Sequence, residues 1–194
     1  MAITRLSNGS IQKSREADRN AQEIRCLAQF DSEETIDAHE LAARLGFRVL
    51  TSDDLTKGLA ISHGSGTSEL SAKEWSAFLL PDIKTIAVNS NQTPERIQAS
   101  IMEEVAHDFL GHKPSQITLD DVDGASRTRN DGAETSAYWT GAAVLLPGSW
   151  IAKSIWNGIS VNSMAVSRGV SRELVEFRIK TLGLWTRSIR DQKE

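Results

Sequence analysis

From Ser14 to Phe30, apolar residues (Ala17, Ala21, Ile24, Leu27, Ala28) recur three and four apart, which predicts one stripe of an amphipathic helix. Thr35 to Leu45 repeats the pattern with Ile36, Leu41, Ala42 and Leu45, and Gly46 marks the stop. Residues 1–12 are polar and read as a ragged start. Phe47 to Leu50 alternates as a strand, and Leu59-Ala60-Ile61 reads as a short strand within a Gly-rich stretch. Trp75 to Leu80 and Thr85 to Val88 are β-prone runs separated by Pro81-Asp82, hence a hairpin.

The sharpest helix start comes next. Thr93 is a suitable N-cap, Pro94 suits the first helical position, and Glu95 favours the positive end of the helix. This helix is expected to run to about Leu110 and stop at Gly111. Residues 113–133 lack periodicity, and a loop of that length inside a domain points to function. A helix from about Gly132 to Leu146 ends at Pro147, and helices over about 148–156, 160–168 and 171–182 complete the chain. Helix, helix, mixed strands and then helices is an α+β order, not an alternating α/β one.

Composition removes several classes of function. The 194 residues carry 39% apolar and 25% charged residues, ordinary for a globular chain, and a net charge of −4. An acidic balance argues against a dedicated nucleic-acid or polybasic membrane module. Cys26 is the single cysteine, so neither an internal disulfide nor a cysteine zinc knuckle is available. No apolar run approaches the ~18 residues of a membrane span, and Met1 to Gly9 lacks an apolar signal core. The expected location is the cytoplasm.

The chemistry centres on Met102-Glu103-Glu104-Val105-Ala106-His107. Helical residues at i and i+4 project from one face, so Glu103 and His107 are placed to grip one metal ion. Glu104 lies beside that face as a candidate general base. The arrangement is H-E-x-x-H with Glu for the first His, and a carboxylate oxygen is an acceptable zinc ligand. Spacing alone leaves a plain solvated pair open, because Glu and His four apart arise easily on exposed helices. The rest of the helix (Ile97, Ile101, Val105, Phe109, Leu110) is apolar, and adjacent carboxylates near a core need a cation, a proton or an arginine.

The helix Glu134-Thr135-Ser136-Ala137 through Leu145-Leu146-Pro147 supplies a further carboxylate. E-x-x-A and L-L-P downstream of an H-E-x-x-H-like helix resemble the ImmA/IrrE family of metallo-endopeptidases, over roughly residues 14–182. The resemblance implies an α+β, zincin-like domain: a small, mostly antiparallel sheet packed on the active-site helix, with a helical C-terminal extension. It divides the chain into a metallopeptidase-like domain at 14–147 and an extension at 148–187 packed on it. Carried over, Glu103, His107 and Glu134 are the metal ligands and Glu104 the general base. Zinc is the implied ion, with manganese as a harder alternative for a Glu-rich set. The implied partner is a protein substrate, such as a helix-turn-helix transcriptional repressor cut in response to stress or mobile-element signals. The chain departs from the usual pattern at Glu103, where the family has His, and at Tyr138, where Asn is common.

Other residues weigh less. His112 follows His107 by five, which on a helix turns it away from the ligand face and towards the last carbonyls. Arg127 and Arg129 read either as solvated loop charge or as electrostatic support for the acidic cluster. Ala165, Gly169 and Ser171 have helix-turn-helix spacing, but Arg172, Arg178 and Lys180 are offset by Glu173 and Glu176, so packing is expected rather than DNA recognition. The alternative function is a catalytically silent member that regulates by binding protein or DNA.

Overall fold

The computed structural model describes residues 8–55, 75–112 and 131–185. The strand expected at 59–61 lies outside the described residues. The first apolar stripe folds as α1 (Asn8–Leu27). It starts earlier than the stripe because extending a formed helix through polar residues is far easier than nucleating one. Gln29, with φ of 58°, turns the chain out of it. Helix α2 (Ala38–Arg44) begins where Asp37 accepts the Glu40 N–H, which places its start after Thr35.

Strands β1 (Arg48–Thr51), β2 (Ala77–Leu80) and β3 (Thr85–Val88) form a sheet in the order β1-β3-β2. β2 and β3 are the expected antiparallel hairpin, with Ala77 opposite Val88 and Leu80 opposite Thr85. A single 3₁₀ turn (Pro81–Ile83) and Lys84 at φ 45° close it. β1 pairs in parallel with β3, Arg48 opposite Thr85, so the sheet is mixed. β3 is buried along its whole length, as a central strand must be.

The helix started by Thr93 is α3 (Pro94–Phe109), which packs on β2, β3 and α2. Helix α4 (Asp131–Leu145) lies between α3 and α1, and its last turns are buried on every side. α5 (Gly148–Trp156), α6 (Val161–Arg168) and α7 (Arg172–Thr181) follow close to the expected bounds. The architecture is α+β.

Three arginines tie this frame together from inside. Arg25 donates to the carbonyls of Val144, Asp31 and Glu34, at 2.7 Å, 2.6 Å and 2.6 Å. Its pKa is lowered to about 10 by burial, reinforced by the nearby Arg168. Arg168 stacks on Trp150 and donates to the carbonyls of Glu33 and Glu34. The segment after α1 is thereby held from two sides. Arg178, fully buried on α7, donates to Asp18 on α1 at 2.6 Å and to the Leu146 carbonyl at 3.0 Å. Asp18 also accepts the Gly148 N–H at the start of α5.

The tail is thus latched onto α1 by an ion pair whose arginine is fully buried and whose aspartate is half-buried. Removing one partner of such a pair leaves an uncompensated buried charge, which costs about 3–5 kcal/mol. Asp18→Ala is expected to lose that much stability in urea unfolding. A midpoint equal to that of the parent protein would refute the latch.

Candidate metal centre

Helix α3 carries most of the site. Thr93 accepts the Arg96 N–H at 3.3 Å and Pro94 occupies the first turn, so the register of the helix is set at its start. Ile101, Met102, Val105 and Ala106 face the core. Glu103, Glu104 and His107 occupy the half-buried rim of the same helix.

Helix α4 meets α3 at Gly141. A Cβ there would stand 2.9 Å from the backbone carbon and oxygen of Met102 and 3.0 Å from the Glu103 nitrogen. Only glycine permits so close a crossing. Glu134 lies seven residues earlier, about two turns towards the α4 N-terminus. The positive end of the helix favours its carboxylate there. Each of Glu103, His107 and Glu134 offers one ligand atom within 4.8 Å of the other two. His107 Nε2 and Glu134 Oε1 are 3.9 Å apart. Ligand bonds of ~2.0–2.2 Å in a tetrahedron separate donor atoms by about 3.4 Å. A small inward movement of the carboxylates would close the three around one ion, and two oxygens with one imidazole nitrogen are a donor set that divalent cations accept.

The other face of the His107 ring corrects the reading of His112. His107 Nδ1 and His112 Nδ1 are 3.0 Å apart, with the rings nearly perpendicular. The helix does not continue to His112. Gly111 adopts φ 65°, its N–H bonds the Asp108 carbonyl, and the His112 N–H bonds the His107 carbonyl. That reversal swings His112 back over His107. Its Nε2 then sits 3.3 Å from Ser136 Oγ on α4. Burial lowers the pKa of His107; Glu134 opposes the shift and His112 adds to it. Burial also lowers that of His112, again against Glu134.

Tyr138 lies one turn after Glu134, its ring against the edge of Phe177 at 4.9 Å. Burial and then the negative Glu103 push its hydroxyl pKa up, so the residue at the departure from the family pattern borders the site. Arg127 and Arg129 lie outside the described residues. On sequence alone His112 reads as turned from the ligand face and Tyr138 only as a departure from the family pattern, and nothing singles out Ser136. Gly111 was the available signal for His112.

Residues 42–180 match the family model of Peptidase M78, described as the IrrE N-terminal-like domain. The chain belongs to this family. None of the curated proteins matches it. Among solved structures it is similar to a Mycobacterium tuberculosis transcriptional regulator, with a TM-score of 0.57 and 16% identity. The match covers 86% of this chain and 47% of that one, so this chain spans about half the regulator's length. At that identity the likeness concerns the fold.

Two outcomes test this geometry. Gly141→Ala pushes backbone against backbone and is expected to destabilise by about 1–3 kcal/mol while weakening metal binding, read by thermal unfolding and calorimetric titration. Unchanged values for both would show that the crossing is not tight. The second concerns pH. Both histidines bind protons less readily folded than unfolded, so the unfolded chain takes up more protons below ~6.5. Stability of the metal-free protein is full above that pH and falls as pH drops towards the lowered folded values. A flat urea midpoint between pH ~7 and ~5 would contradict the burial of these rings.

Proposed function

We propose that this chain is a metal-dependent endopeptidase that cuts a protein substrate, such as a helix-turn-helix transcriptional repressor. Membership of the Peptidase M78 family supports a peptidase-type fold. The observation that carries the reading to these residues is the meeting of Glu103, His107 and Glu134, with Glu104 next to them on α3. In this reading the three hold zinc, or manganese as the harder ion. Residues 14–147 form the catalytic unit and 148–187 an extension packed on it. Among the described residues no helix is long and apolar enough to cross a membrane, which is consistent with the proposed cytoplasmic location.

A divalent ion at this site supplies Lewis-acid activation of water and of the scissile carbonyl. The Glu104 carboxylate takes the proton of the attacking water and returns it to the amine nitrogen as the peptide bond breaks. Glu103 in place of a neutral imidazole adds one negative charge, which lessens that activation and favours a harder ion. Tyr138, one turn after Glu134, packs edge-on against Phe177 of α7.

A second reading is a silent member that regulates by binding. Glu103 in the first ligand position favours it, as does the likeness to a protein titled a transcriptional regulator. For DNA binding by the tail, Arg178 is internal and Arg172 is paired with Glu176 and Asn162.

Metal analysis of gently purified protein is expected to return one equivalent. Glu104→Gln is expected to keep the fold and the metal and to lose ~10²–10⁴-fold in cleavage rate. Glu103→His is expected to tighten zinc binding and to leave or raise activity. Cleavage by Glu104→Gln at the parent rate would exclude the mechanism. No cleavage by any of the three proteins, with metal and substrate bound, would favour the silent reading.

A further inference from the structure

We propose that His112 and Ser136 are positioning residues that hold His107 as its Nδ1–H tautomer and so aim a bare Nε2 lone pair at Glu103 and Glu134. The assignment begins at Ser136, whose hydroxyl carries a single hydrogen. The Gly132 and Ala133 carbonyls, 3.1 Å and 3.0 Å from Oγ, can only accept, and both lie nearer than His112 Nε2, which favours keeping that hydrogen within α4. In that arrangement the Ser136 oxygen accepts from His112 Nε2 at 3.3 Å, and His112 Nε2 carries a hydrogen.

A neutral imidazole has one N–H, so His112 Nδ1 is a lone pair. The 3.0 Å contact between the two Nδ1 atoms needs a hydrogen, and His107 is the ring that supplies it. His107 Nε2 is then unprotonated on the side of Glu134 Oε1, 3.9 Å away. The opposite assignment costs contacts at both ends. It turns the Ser136 hydroxyl away from the Gly132 and Ala133 carbonyls to donate to His112 Nε2, and it aims a His107 Nε2–H at an oxygen beyond hydrogen-bond reach.

A lone pair facing carboxylates is repulsive without a cation and is the form that a metal requires. The tautomer assignment stands on hydrogen-bond geometry alone, whereas its use rests on the metal reading above. Metal-bound histidines are usually oriented by a carboxylate or carbonyl at the second nitrogen. Here a second imidazole takes that place, and its far nitrogen is anchored to the helix that also carries Glu134.

The test reads the rings directly. Long-range ¹H–¹⁵N correlation spectra of the ¹⁵N-labelled, metal-free protein at mildly alkaline pH are expected to show His107 protonated at Nδ1 and His112 at Nε2. His107 protonated at Nε2 would overturn the proposal whatever the protein does with metal. Titrations with Zn²⁺ and Mn²⁺ then compare the parent with His112→Phe, His112→Asn and Ser136→Ala, each checked by thermal unfolding. His112→Phe is expected to lose ~10–100-fold in affinity. His112→Asn restores an acceptor for the His107 Nδ1–H and is expected to recover most of that loss. Ser136→Ala is expected to fall between them and to populate both tautomers of His112. Parent affinity in His112→Phe, or no recovery in a normally folded His112→Asn, would overturn the positioning role. Failure of the parent protein to bind either ion, with the tautomers as assigned, would sink the metal reading and leave the relay standing.

Discussion

The crossing of α3 and α4 at Gly141 governs where the ligands stand. A methylene on that residue would press on the Met102 backbone at 2.9 Å, so the distance between the two helix axes is set by an absent side chain. Glu103 and His107 belong to one helix and share a face through ordinary helical geometry. Glu134 belongs to the other, and only a close crossing brings its short carboxylate arm within range. Ala137, buried one turn before Gly141 and on the same helical face, is again a small residue. Substitution by larger residues would separate the carboxylates while leaving both helices intact.

The charged residues of the interior act on the backbone. Arg25 and Arg168 are satisfied mainly by main-chain carbonyls in the segment between α1 and α2, which gives an irregular stretch the hydrogen bonds that a strand or helix would otherwise supply. Because Arg25 also reaches the Val144 carbonyl, the same guanidinium anchors the C-terminal end of α4. Asp18 and Arg178 then secure the tail to α1. The helix that presents Glu134 is therefore held at its far end by one arginine and pinned in its middle by a glycine contact.

Much of this was legible because local chemistry specified it. Thr93 and Pro94 start α3, Gly111 and Pro147 mark helix stops, and Pro81-Asp82 makes the hairpin; each acts within a few residues. The triad of Glu103, His107 and Glu134 was readable because one pair obeys helical spacing and the third residue follows a family pattern. What escaped depends on distant partners. The parallel pairing of β1 with β3 is non-local, and no spacing within β1 encodes it. Arg178 reads as one charge in a mixed helix until Asp18, from the other end of the chain, shows that it is internal. His112 was judged as though the helix ran on, although Gly111 already marked the reversal.

That reversal has an evolutionary consequence. On a helix, a ligand and its supporting residue can drift independently, provided each keeps its face. After a left-handed turn, the place of the second ring is set by the count of residues and by a residue that adopts the turn at little cost, which glycine does best. His107, Gly111 and His112 therefore act as a single unit, in which replacing the glycine strains the turn that places the second imidazole. A one-residue insertion between Phe109 and His112 would displace that ring while sparing every ligand.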